Sequence, residues 1–135
     1  MKRFITAYLS SLLAMLPLDG IWLGLTMKRF YGPRIGHLLA DSAKLGPAAV
    51  FYLIYILGVT LLVVIPSVQQ QVARKKVLWT GALLGLMAYG TYDLTNQATL
   101  KDWPVFVTVV DLMWGALLTA VVSLISVACT RMIEK

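Results

Sequence analysis

The chain has 135 residues, 59% of them hydrophobic and 13% charged, which excludes an ordinary soluble domain and favours one membrane domain over residues 1–135. The net charge of +6 does not indicate nucleic-acid binding here, because basic residues beside apolar segments meet anionic lipid headgroups. One cysteine and one histidine, far apart in sequence, exclude an intrachain disulfide and offer no metal-ligand spacing, so we predict neither a metal nor a cofactor.

Four apolar runs follow one another, at about residues 4–26, 47–65, 77–98 and 104–129. Each is near the roughly 20 residues that a helix needs to cross the hydrocarbon core of a bilayer. The runs are continuous rather than alternating, which favours helices over the strands of a barrel. We therefore predict an all-α, integral membrane four-helix bundle.

The first run begins after Met1-Lys2-Arg3 but is long and has no small-residue cleavage site, which favours an uncleaved span over a signal peptide. Pro17 predicts a kink in it. The connection over about 28–46 is predicted as the longest loop, part of it an interfacial helix, with His37 in solvent.

The third and fourth runs are joined by the short turn 101–104, which predicts a tight antiparallel hairpin. Gly81 and Gly85 are expected to let helices approach closely. Trp103, at the turn, is interpreted as an interfacial anchor. Of the 12 Lys and Arg residues, seven lie at the termini and in the second connection. This bias favours cytoplasmic N- and C-termini by the positive-inside rule.

Three of the six acids, Asp19, Asp93 and Asp111, lie inside the apolar runs. An ionisable group near the bilayer centre costs at least about 2.5–3.5 kcal/mol and usually faces the bundle interior. Counted along the helices, all three lie about 7–11 Å below the same boundary, which the charge bias makes the outer one. Asp19 and Asp111 each begin the pattern Asp-x-x-Trp, which puts acid and indole on one helix face.

Aromatic and amide residues occupy the same layer at helical spacing, and we predict a polar cavity there, in the outer half of the bundle. The candidate residues for ligand binding or proton coupling are Asp19, Trp22, Tyr52, Tyr55, Tyr89, Tyr92, Asp93, Asn96, Asp111 and Trp114. No catalytic residue is assigned. Two alternatives stay open: the polar residues are interhelical hydrogen-bonding contacts of about 0.6 kcal/mol each, and Trp22 and Trp114 are interfacial anchors.

The segments LPLDGIWLG, FYLIYILG, YGTYDLTNQATLKDWP and VDLMWG resemble the hallmark segments of a bacterial family of small multi-pass inner-membrane proteins, the domain of unknown function 2177 family. The resemblance covers nearly the whole chain. It implies a four-helix protein of the bacterial inner membrane but no particular activity. The residues it stresses are Asp19, Asp93, Asn96, Lys101, Trp103, Asp111 and Trp114.

Three functions fit these features. The first is binding or transport of a small amphiphile or lipid, with membrane lipids as partners and a homodimer framing the path. The second is a membrane-embedded enzyme acting on lipid or lipoprotein, with Asp93 and Asp111 as paired carboxyls. The flanking motifs of the four-span aspartyl signal peptidase are missing. The third is an accessory subunit that pairs with another membrane protein.

Overall fold

The computed structural model describes residues 1–134, which form four helices and no strand. Helix α1 is α-helical over Lys2–Thr26 and continues through a π-helical turn, Met27–Tyr31, and two short turns to Leu38. Helix α2 covers Leu45–Gln69 and contains a π-helical turn at Thr60–Val64. Helix α3 covers Arg74–Thr99, and α4 covers Val105–Ile133. The predicted all-α bundle is confirmed, and Pro17 lies inside α1 without interrupting it.

The outer surface of the bundle is apolar on every helix. Leu13, Ile54, Leu62, Met87 and Met113 are each more than half exposed, as lipid-facing residues are. Helices α1, α2 and α4 are each long and apolar enough to cross a membrane. Helix α3, which contains the predicted third run 77–98, is not among the helices that are apolar enough by this criterion. Polar residues around Asp93 lower the hydropathy of that helix.

Both chain termini lie at one end of the bundle, here called the terminal end. Arg3 forms an ion pair with Glu134, and the Ser10 and Ser126 hydroxyls are 2.8 Å apart. The α2–α3 connection is at this end too, because the Arg131 guanidinium donates to the Ser67 carbonyl at 2.7 Å. The opposite end, here called the cavity end, holds the other two connections.

Helices α3 and α4 form the antiparallel hairpin that the short turn predicts, with glycines at their crossing. A Cβ at Gly81 would lie 2.8 Å from the Ser123 hydroxyl and 2.9 Å from the Thr119 carbonyl oxygen, and one at Gly85 would overlap the Gly115 carbonyl. The role predicted for Gly81 and Gly85 is therefore confirmed.

The first connection is shorter than predicted. The chain stays helical to Leu38, and the connection to α2 is Leu39–Lys44. The predicted bounds of about 28–46 are therefore wrong, although this connection is the longest of the three and part of the predicted range is helical. The helix continues because Tyr31 and Ile35 keep facing inward, where they pack with Trp103 and Val107 at the cavity end. His37 is exposed, as predicted.

Candidate functional site

Asp19 has a complete set of protein hydrogen bonds. Its Oδ2 accepts from the Tyr52 hydroxyl, and its Oδ1 accepts from the Trp114 indole N–H at 3.0 Å. Asp19 is buried on α1, while Tyr52 comes from α2 and Trp114 from α4. This carboxyl therefore joins three helices, and both its oxygens are engaged by protein donors.

Asp111 accepts a hydrogen bond from a residue in the π-helical turn that extends α1, Met27–Tyr31. The Tyr31 hydroxyl donates to Asp111 Oδ1, and the Trp22 indole N–H donates to the Tyr31 hydroxyl oxygen at 3.1 Å. Trp22 and Trp114 stack with ring centroids 4.3 Å apart and planes 8° apart. The two Asp-x-x-Trp patterns thus exchange partners across antiparallel helices: Trp114 reaches Asp19 directly, and Trp22 reaches Asp111 through Tyr31.

Asp93 differs from both. Its side chain is 0% exposed, and no N–H or O–H donor of residues 1–134 contacts either of its carboxyl oxygens. Its neighbour is the Asp111 carboxyl, close enough to interact with it. A buried carboxylate without a donor is costly, so this acid is stabilised either by a proton shared with Asp111 or by a positively charged partner that residues 1–134 do not supply.

These groups surround a cavity of about 200 Å³. Its lining combines acidic and aromatic residues with aliphatic residues from the end of α1 and the connection that follows it. The lining residues are Asp19, Trp22, Leu23, Met27, Tyr31, Ile35, Leu39, Tyr89, Tyr92, Asp93, Asp111 and Trp114. No Lys or Arg belongs to it. In residues 1–134, no group of three or more His, Cys, Asp or Glu is arranged to hold a metal ion.

Seven of the ten predicted site residues line this cavity. They are Asp19, Trp22, Tyr89, Tyr92, Asp93, Asp111 and Trp114. Tyr52 contacts the cluster through Asp19. Tyr55 is buried outside the cavity, with its hydroxyl 2.6 Å from Thr119 Oγ1, and Asn96 is half-buried outside the lining.

Two predictions about aromatic residues need correction. Trp103 is 8% exposed rather than anchored in the interface, because its indole folds back and donates to Thr108 Oγ1 at 3.0 Å. Tyr31 lies in the predicted loop and is absent from the predicted site, yet it is buried and bridges Trp22 and Asp111. A pattern in the sequence does point to Tyr31: apolar residues recur at every fourth position from Leu23 through Met27 and Tyr31 to Ile35. The π-helical turn at Met27–Tyr31 carries that spacing forward on one face.

No curated protein and no solved structure matches the chain. The model of one family, described as a predicted membrane protein, DUF2177, matches residues 4–128. That range includes α2, α3, all but the first two residues of α1, α4 up to its last turns, and every residue that lines the cavity. The chain therefore belongs to the DUF2177 family of predicted membrane proteins.

Proposed function

We propose that this is a four-span inner-membrane protein that binds, and in an assembled form transports, a small amphiphile or lipid in the cavity beside Asp93. The observation that carries the proposal is the Asp93 carboxyl, fully buried at the cavity wall without a protein donor. Ionisable residues placed in membrane spans mark substrate or proton routes when no protein partner neutralises them.

A crossing of the membrane by α3 is part of the proposal. Its 26 residues extend about 39 Å, more than the hydrocarbon thickness. Between Lys76 and Lys101, Asp93 is the single charged side chain. Met87 and Leu83 expose apolar surface along it. Asp93 is then an intramembrane aspartate.

The orientation follows from charge. The terminal end carries the basic cluster Arg74-Lys75-Lys76, which supports a cytoplasmic position for that end and an outer-half position for the cavity. An amphiphile or lipid headgroup would enter from the outer leaflet. Four spans are few for alternating access, so transport would need a homodimer with two copies framing one path.

Native mass spectrometry of the gently purified protein tests the proposal. Wild type is compared with Asp93→Asn, and Asp102→Asn is the matched control. Asp102 is exposed in the α3–α4 turn at φ 60°, a conformation that asparagine tolerates. We expect a small molecule or lipid on wild type and on the control, and its loss from Asp93→Asn. Equal, empty spectra from three folded proteins would contradict a ligand site.

The neighbouring Asp93 and Asp111 carboxyls favour a second candidate, an enzyme that acts on lipid or lipoprotein with this aspartyl pair as general acid and base. Its test is the lipid and lipoprotein profile of a strain that lacks the protein. A product missing from that strain and restored by wild type, but not by Asp93→Asn, would support catalysis. Unchanged profiles would exclude it.

A further inference from the structure

The cavity has an unbalanced charge. Asp19, Asp93 and Asp111 line it, and no lysine or arginine does. Within residues 1–134 the one ion pair is Arg3–Glu134, at the opposite end of the bundle. Arg34, at the cavity end, lies over the Phe30 ring at 4.6 Å. A buried carboxylate without a counter-charge is strongly unfavourable, so the site favours a positively charged ligand.

The free acceptor atoms can be counted. Both oxygens of Asp19 and Oδ1 of Asp111 already accept protein hydrogen bonds. Both oxygens of Asp93 and the second oxygen of Asp111 have no protein donor assigned in the structure. A primary ammonium has three N–H donors, which matches these three oxygens. A quaternary ammonium has none.

The remaining lining limits the size and character of the ligand. A volume of about 200 Å³ holds roughly six or seven water molecules, enough for an ammonium headgroup and too little for a whole lipid. The stacked Trp22 and Trp114 indoles form the aromatic part of the lining. Leu23, Met27 and Leu39 provide an apolar wall along which an alkyl chain can leave the cavity.

We propose that the cavity binds a primary ammonium group carried on an apolar chain, with Asp93 and Asp111 as its counter-charge. This inference rests on the proposed function and names its ligand class. Two sources share that chemistry: the ethanolamine headgroup of a membrane lipid and a free amphiphilic amine.

The test is a headgroup series on wild type in phosphatidylcholine nanodiscs, followed by tryptophan fluorescence. Trp79, which is 69% exposed and outside the cavity, is replaced by phenylalanine in every sample to reduce background. Dodecylamine is compared with dodecyltrimethylammonium, dodecanol and dodecanoate, and empty nanodiscs correct for partition into lipid. We expect saturable binding of dodecylamine, at least about tenfold tighter than that of the other three probes.

Asp93→Asn should weaken dodecylamine binding by about tenfold or more, and Asp102→Asn should leave it unchanged. Competition from added phosphatidylethanolamine would support the ammonium and identify a lipid source. Dodecylamine binding that phosphatidylethanolamine leaves unchanged would support it and identify a free amine. Equal binding of dodecanol or dodecyltrimethylammonium would overturn the ammonium but leave an amphiphile site. Failure of all four probes would overturn both proposals. The wild-type series stays decisive even if Asp93→Asn fails to fold.

Discussion

The three buried aspartates have different surroundings, although they share one layer. Asp19 receives two hydrogen bonds, Asp111 receives one from Tyr31, and Asp93 receives none from residues 1–134. A carboxyl that only holds helices together has donors around it, and its removal leaves those donors unpaired. A carboxyl reserved for a ligand contributes no such bonds. Stability measurements can therefore separate structural acids from a site acid.

We expect Asp19→Asn to lower the free energy of unfolding by about 1–3 kcal/mol, because the amide NH₂ replaces one acceptor oxygen and leaves either the Tyr52 or the Trp114 donor without an acceptor. Asp93→Asn should be at least as stable as wild type, since it removes a buried carboxyl without a donor. Thermal unfolding in one detergent compares the two variants. A marked loss of stability in Asp93→Asn would show that this acid is structural.

Tyr31 supplies the second residue-level prediction. Tyr31→Phe keeps the ring but removes the hydroxyl that links Trp22 to Asp111, so buried Asp111 loses a donor and half-buried Trp22 loses an acceptor. The expected cost is about 1–3 kcal/mol of unfolding free energy. Tyr8→Phe is the control, because the Tyr8 hydroxyl bonds the Leu53 carbonyl at 3.2 Å in an exposed place. Equal stability of the two variants would argue against the bridge.

Among the elements, the α3–α4 crossing leaves no room for a side chain at Gly85. We expect Gly85→Ala to destabilise the bundle by about 1–3 kcal/mol, because its Cβ would overlap the Gly115 carbonyl. Gly58→Ala, on α2, is the control, since nothing lies within 4 Å of a Cβ there. Unfolding midpoints measured in detergent check this prediction. A Gly85→Ala protein as stable as Gly58→Ala would mean that the helices do not approach so closely.

Helical rise and period explain which site residues could be predicted from sequence. Asp19, Asp93 and Asp111 share a layer because each is five to seven residues from the same end of its run, and the structure places all three at one cavity. Tyr55 and Asn96 share the faces of Tyr52 and Asp93, but three residues displace them by about 4.5 Å. Both lie outside the cavity lining.

Tyr31 could not be placed from the predicted elements. Basic residues after Thr26 indicated the end of a span, and a regular α-helix would turn Tyr31 gradually away from the face of Asp19. The π-helical turn at Met27–Tyr31 offsets that drift. The sequence also could not predict that Trp114 bonds Asp19 and that Trp22 reaches Asp111 through Tyr31, since these contacts depend on how α1 and α4 are aligned.

For the whole molecule, an apolar exterior surrounds a polar interior at one end. The hydrocarbon of a bilayer suits that exterior, and the proposed crossing of α3 would be compatible with Asp93 because its carboxyl faces inward. The proposed intramembrane position of the cavity therefore depends on α3 crossing the membrane, although α3 is less apolar than the other three helices. If α3 lay along the membrane surface, Asp93 would not be an intramembrane acid.

Sided cysteine labelling tests that crossing most directly. Cys129, the native thiol, is replaced by serine, and single cysteines are introduced by Lys75→Cys and Lys101→Cys, exposed positions near the two ends of α3. A membrane-impermeant thiol reagent is added to cells with an intact inner membrane, and lysed cells show that both cysteines can react. We predict labelling at position 101 in intact cells and labelling at position 75 only after lysis. The opposite pattern would reverse the orientation, and labelling of both positions from one side would contradict the four-span bundle and its intramembrane cavity.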